Sequence, residues 1–259
     1  MSAVADNRKI LQHAYAALRP YSHKNRWEFK SNLAHLNIIT RYISRRHTVL
    51  DAGCGLGILA VALRLAGYDV EGSDKYVFES SNDFSVADIA RLESLWAARG
   101  LRVFQNDILT DNFEKKYGVI ISIATIEHQK YPKLFLERLR AGIATGGYLY
   151  LATPNVTHLL NRFRFLFGQS SFNNLQDFFD QGEHFIGHWR EYTLRDLERM
   201  LGWCGFEIVT ARNVQDKLCH FATGRPRDMY VNALRLCAYA LPGAREANII
   251  LGKKLPRHE

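Results

Sequence analysis

Cysteine and proline are scarce in this chain: 259 residues hold four cysteines and six prolines. Cys54, Cys204, Cys219 and Cys237 are scattered, and no Cys-x-x-Cys occurs. This spacing argues against a disulfide framework and a cysteine-built zinc site, and fits reduced thiols in a cytoplasmic setting. No apolar run is long enough to cross a bilayer. Met1 to Arg19 lacks the apolar block of a secretory signal. Repeats and low-complexity blocks are also missing. Acidic residues are outnumbered, giving a net charge of +8. The excess is partly local, at Lys24, Arg26 and Lys30, at Arg41, Arg45 and Arg46, at Arg225 and Arg227, and at Lys253 and Lys254. Such groups either form a solvated basic surface or draw in nucleic acid, anionic lipid or an acidic substrate.

What is present is alternation. Residues 7–19 and 26–44 carry apolar side chains at helical spacing (Leu11, Tyr15, Leu18; Leu33, Leu36, Ile39, Tyr42), which predicts two leading helices. Thr48 to Asp51 is a short buried strand, followed by a glycine turn and a helix from Gly57 to Ala66 with Gly67 as its cap. Strands follow at Tyr68–Ser73, Leu101–Phe104, Gly118–Ile123 and Tyr148–Ala152, the last preceded by Gly146-Gly147. Between them come helices at Val86–Ala98 and after Pro132. Thr193-Leu194-Arg195-Asp196 is a capping box opening another helix, and Phe206–Thr210 and Ala247–Leu251 complete seven strands. This pattern predicts an α/β fold: a three-layer, Rossmann-like sandwich around a mostly parallel seven-stranded sheet. The expected organisation is one domain, with N-terminal helices over 1–45, a cofactor-binding half over 46–154 and a C-terminal half over 191–259.

Two segments interrupt the alternation. Residues 155–190 form a long insertion rich in phenylalanine (Phe163, Phe165, Phe167, Phe172, Phe178, Phe179), expected to cap the site. Residues 214–243 are a second insertion, helical around Tyr230–Tyr239.

The chemistry centres on Asp51-Ala52-Gly53-Cys54-Gly55-Leu56-Gly57, where a strand hands over to a helix. Glycines let the backbone turn tightly and admit a ligand closely, and the helix N-terminus offers N–H groups to a carboxylate. A nicotinamide dinucleotide loop needs Gly or Ala at position 58, which is Ile here. The spacing G-x-G-x-G with Asp51 ahead of it instead resembles the first motif of class I S-adenosylmethionine-dependent methyltransferases. Ile121-Ser122-Ile123-Ala124-Thr125-Ile126-Glu127-His128, Ala152-Thr153-Pro154-Asn155, Tyr192-Thr193 and Gly205-Phe206 resemble the subgroup of ubiquinone-pathway O-methyltransferases, over about residues 45–212. The resemblance implies S-adenosylmethionine as cofactor. It assigns Asp51, Gly53, Cys54, Gly55 and Gly57 to the methionine end, Asp74 with Lys75 to the ribose, Asn106, Asp107 and Ile108 to adenine, and Ile123 to the cleft wall. Taken alone, Asp74 and Asp107 are equally ordinary turn residues at strand ends.

A hydroxyl acceptor needs a base beside the fourth strand, and His128 is the candidate. The alternative for His128 is a hydrogen bond to a helix end. Glu127 is a structural or acceptor-side group. His184, His188, Trp189, Arg190 and Tyr192 form a second cluster at the end of the insertion: the two histidines are further catalytic candidates, and the other three suit an acidic or sugar acceptor. His184 and His188 stand four apart, but Gly187 intervenes and no third ligand is evident, so no metal is expected. An Asn/Asp-Pro-Pro-Tyr/Phe motif, a Pro-Cys pair and a metal-binding Asp-Asn pair are all missing. These absences disfavour amide or exocyclic base methylation, cytosine C5 chemistry and catechol-type chemistry. The expected acceptor is a small, sugar-linked or lipid-linked molecule, methylated on oxygen. RNA modification, suggested by the charge, a non-catalytic cofactor-binding regulator and a peripheral membrane contact through the phenylalanines stand as alternatives.

Overall fold

The structure, a computed structural model, describes residues 3–19, 21–22, 28–75, 85–171, 175–215 and 226–256. Lys24, Arg26, Phe172, Cys219 and Arg225 lie outside the described residues, as does part of the second insertion.

Strands β1 (Thr48–Ala52), β2 (Asp69–Asp74), β3 (Arg102–Gln105), β4 (Tyr117–Ile123), β5 (Ile143–Pro154), β6 (Phe206–Val214) and β7 (Ala247–Lys254) form one seven-stranded sheet in the order β3-β2-β1-β4-β5-β7-β6. Neighbours from β3 through β5 pair in parallel, and β7 runs antiparallel to both β5 and β6. Val49, Leu50, Val119, Ile120, Ile121, Leu149 and Leu151 are all essentially inaccessible. A central parallel strand is covered on both faces, which is why its sequence is a run of apolar residues rather than an alternation.

One face carries α1 (Ala3–Ala17), α2 (Phe29–Tyr42), α3 (Ile58–Leu65) and α4 (Val86–Ala97), whose buried residues join one apolar cluster with Val49, Val119, Ile121 and Tyr150. The other face packs α5 (Pro132–Gly142) and α8 (Leu194–Trp203) against Leu50, Ile120, Leu149 and Ile250. α3 is apolar and buried from Ile58 to Leu63, and α1 packs against it.

Three departures of element boundaries from the sequence expectation have a physical cause in the structure. β5 begins at Ile143 and runs through both glycines: Ile143 already pairs with Tyr117, and a Cβ on Gly147 would stand 2.6 Å from the Gly118 carbonyl oxygen. β6 continues to Val214 because β7 supplies partners along that whole length. The helix of the second insertion, α9, spans Pro226–Cys237, with proline at its start, where no backbone donor is needed.

The 155–190 insertion holds α6 (Leu159–Leu166), α7 (Leu175–Gln181) and a single 3₁₀ turn at Gly182–His184. Its aromatics divide. Phe163 packs on Leu159, Ala238 and Ala244, and Phe178 and Phe185 meet the Trp189 ring edge-on, whereas Phe165, Phe167 and Phe179 are exposed. Among the described residues no helix is long and apolar enough to cross a membrane.

Candidate active site

At the carboxyl end of β1 the chain turns through three glycines with positive φ, 81° at Gly53, 52° at Gly55 and 71° at Gly57, a region costly for side-chain-bearing residues. Gly53 also has no room: a Cβ there would lie 2.6 Å from Thr125 Oγ1. Gly55 is the opposite case, with nothing within 4 Å of an added Cβ. The turn is pinned to β2, since Gly53 N and Cys54 N both donate to Ser73 O (2.8 and 3.0 Å) and Gly55 N donates to Asp74 Oδ2 (2.8 Å). A rigid, open-sided glycine turn ahead of α3 can take a carboxylate or an adjacent polar group of a ligand.

A cavity of about 610 Å³ opens on this turn. Asp51, Gly53, Cys54 and Gly55 form one end, and Ile123, Ala124, Glu127 and His128 the wall beyond β4. The roof comes from α2 and the two insertions. Burial pushes the Asp51 carboxyl up to about 7, with the neighbouring Asp74 charge adding to the effect. A cation held in the cavity would relieve that cost, as a sulfonium or ammonium group does. Burial raises the Cys54 thiol well above its ordinary value, so it stays a neutral wall group.

On the far side of β2, Asp74 is buried, and Asn106 is buried with its Oδ1 lacking a hydrogen-bond partner. A buried acceptor of that kind is satisfied by a ligand's amino group. Asp107 is more committed: it pairs with Lys75 Nζ at 2.9 Å and accepts from Leu109 N at 3.0 Å. Ile108 is buried in the core beside it. Asp74, Lys75, Asn106, Asp107 and Ile108 lie outside the cavity lining.

The β4 end is strained. Ala124 has φ 51°, the one non-glycine residue with positive φ among the described residues, and it lines the cavity. Its N–H donates to Ala152 O at 2.9 Å. The tight bend leads into a 3₁₀ turn, Ile126–His128. Glu127 is inaccessible to solvent, Oε2 accepting from Thr153 Oγ1 at 2.8 Å and Oε1 having no partner. Burial drives its carboxyl up to about 7. His128 Nδ1 lies 2.9 Å from Ile186 O. A carbonyl can only accept, so this ring carries its proton on Nδ1 and its lone pair on Nε2. Burial also lowers the His128 pKa, keeping the ring neutral.

The insertion returns here. Trp189 N and Arg190 N both donate to Glu127 O (2.8 and 3.3 Å), which brings His188 beside His128, ring centroids 4.7 Å apart. His188 Nδ1 is 3.0 Å from Glu191 Oε1. Asn155 holds the roof, its Nδ2 donating to Gly243 O and Arg245 O at 2.8 Å each.

The structure therefore brings Asp51, Gly53, Cys54, Gly55, Ile123, Glu127, His128 and His188 to one cavity. It does not bring the other members of the insertion cluster there. His184 is exposed at the end of the 3₁₀ turn and does not line the cavity. Trp189 donates Nε1–H to Phe185 O and serves the aromatic packing, and Arg190 lies over the Tyr192 ring. Tyr192 is buried in the core between β5 and α8. Gly57 faces the Trp96 indole instead of the cavity. Conversely, Asn32, His35, His158, Arg164, Arg235 and Glu246 line the cavity without a local signal in the sequence. His35, for example, sits at a core-facing helical position, 2.8 Å from Tyr150 Oη.

A family model described as a methyltransferase domain matches residues 21–211. The ubiquinone biosynthesis O-methyltransferase of Paraburkholderia xenovorans strain LB400 is 31% identical over 112 residues, 42% of this chain and 44% of that one. The chain thus spans less than half the length of the curated relative. Two solved structures share the fold. A putative methyltransferase complexed with the Haloferax volcanii Trm112 activator has a TM-score of 0.63 at 14% identity, covering 94% of this chain and 96% of that one. The magnesium protoporphyrin IX methyltransferase of Synechocystis PCC 6803, with bound S-adenosylhomocysteine, has a TM-score of 0.54 at 16% identity, covering 87% and 84%. With the sheet order, the glycine turn and the family match in agreement, the chain belongs to the class I S-adenosylmethionine-dependent methyltransferases.

Proposed function

We propose that this chain methylates a hydroxyl group of a small, sugar-linked or lipid-linked acceptor. One observation carries the reading: a single cavity joins the glycine turn to His128, so a methyl donor and a proton acceptor share one space. When bound, the cofactor supplies a methyl carbon on a positively charged sulfur, which is a good leaving group. Asp51 and the glycine turn would hold its methionine end, Asp74 its ribose, and Asn106 with Ile108 its adenine; Lys75 is occupied in keeping Asp107 in place. The insertion and α2 exclude water and align the acceptor. With the cofactor bound, His128 Nε2 would accept the hydroxyl proton while the acceptor oxygen takes the methyl carbon and the carbon–sulfur electron pair leaves with sulfur. The polar rim of Arg164, Arg235, His158 and Glu191 suits an acceptor with several polar groups. The 112-residue likeness to ubiquinone-pathway O-methyltransferases supports oxygen as the methylated atom. In this reading residues 1–259 act as one domain, with 155–190 as its cap.

The test is incubation of the purified chain with cell extract and cofactor carrying an isotopically labelled methyl group. The expected product is a labelled, base-stable ether on a small or lipid-linked molecule. Label confined to RNA or protein would overturn the acceptor class. Absence of any heat on titration with S-adenosylhomocysteine would overturn the cofactor site, and binding with no labelled product would point to a regulator.

A further inference from the structure

Glu127, His128 and His188 each offer one ligand-type atom to the cavity, and the three atoms lie within 4.8 Å of one another. We propose that they hold a divalent transition-metal ion that joins the β4 turn to the insertion. An independent observation points to the ion: Glu127, a member of this cluster, is inaccessible to solvent and its Oε1 lacks any hydrogen-bond partner. A buried carboxylate oxygen left unsatisfied is costly, and a cation is the partner that removes the cost.

The surrounding groups are arranged as around metal-binding imidazoles. Such a ring donates its second N–H to a carbonyl or carboxylate, which fixes its tautomer and aims the other nitrogen at the metal. His128 Nδ1 faces the Ile186 carbonyl at 2.9 Å, and His188 Nδ1 faces the Glu191 carboxylate at 3.0 Å. In its neutral form each ring then carries its lone pair on Nε2. Two imidazoles and one carboxylate suit zinc, manganese, iron or cobalt better than magnesium or calcium, and leave coordination positions open.

Ligands about 2.1 Å from one ion stand roughly 3–3.5 Å apart, so the widest edge of the cluster must close by up to about 1.3–1.8 Å. His188 belongs to the insertion and the other two ligands to the β4 turn, so tightening draws the insertion onto the cavity. The inference rests on the proposed function only for the acceptor's position. An ion bound there would engage His128 Nε2, so the proton-acceptor role assigned to that nitrogen above belongs to the metal-free chain.

The test needs neither cofactor nor acceptor. The full chain, stripped with chelator, is titrated with cobalt(II) and followed by visible absorption, with zinc(II) as competitor. One equivalent should produce a ligand-field band that zinc abolishes. Cobalt affinity should fall at least tenfold in His188→Ala and in Glu127→Gln, and stay within twofold in His184→Ala, whose histidine is exposed. Zinc should also slow proteolysis within residues 175–190. Circular dichroism and thermal unfolding verify that each variant is folded. If the wild type gives no band, or His188→Ala keeps the wild-type affinity, the metal proposal is overturned; methyl transfer persisting in the stripped protein would leave the proposed function standing by itself.

Discussion

At the residue scale, the site is built from groups held in costly states. Ala124 occupies the left-handed region at φ 51°, where a Cβ is penalised. Ala124→Gly should therefore raise stability by about 0.5–1 kcal/mol, the relief exceeding glycine's added chain entropy. Urea denaturation is the measurement, and an unchanged or lower midpoint would contradict it. Asp51 and Glu127 store more: burial holds both carboxyls up to about 7. Free carboxyls titrate near 4. The folded chain thus binds these protons more tightly than the unfolded chain, and stability falls as pH rises from about 4 to about 7 before levelling off. The melting temperature of the ligand-free protein should decline from pH 5 to pH 7, and Asp51→Asn should flatten that slope; an identical slope in the variant would exclude Asp51 as the source. A cation bound beside Asp51 would lower its pKa, so cofactor affinity should rise with pH over the same interval in the wild type and less so in the variant.

At the scale of elements, hydrogen bonds at helix and strand ends decide what reaches the cavity. α8 starts with a reciprocal capping box, Asp196 N donating to Thr193 Oγ1 at 3.1 Å and Thr193 N to Asp196 Oδ2 at 3.0 Å. Thr193→Ala should cost about 1 kcal/mol. Equilibrium unfolding measures it, and a change below a few tenths would show that the box is dispensable. This cap was legible because its signature is local. The return of the insertion was not: it depends on backbone bonds from Trp189 and Arg190 to the Glu127 carbonyl, between residues some sixty positions apart. The β5 boundary was missed for a related reason. Glycines read as a break, yet Gly147 is required where the Gly118 carbonyl passes too close for a side chain.

For the whole molecule, the cavity divides its labour between the sheet end and what covers it. His128→Gln keeps a polar side chain at the position and removes the ring nitrogen. It should lower kcat by about 10²–10⁴-fold, the range for losing a proton-transfer group, while S-adenosylhomocysteine affinity stays within a few-fold, because the glycine turn is untouched. A parallel loss of affinity would place His128 in cofactor binding instead. The cofactor product should also stabilise the whole fold, by about 2.7 kcal/mol at one hundred times its Kd, which thermal unfolding reads directly.

The sequence by itself determined the sheet, the glycine turn and the nature of the cofactor chemistry. Strand–helix alternation, caps and the Asp51–Gly57 spacing are short-range patterns set by backbone sterics and burial period. Tertiary structure alone decided which polar groups meet. Glu127 and His128 are neighbours in the chain, but His188 joins them only because the insertion folds back, and Arg164, Arg235 and His35 reach the cavity from three separate helices. Contacts between distant segments follow from how apolar faces pack, and no residue spacing along the chain encodes that packing.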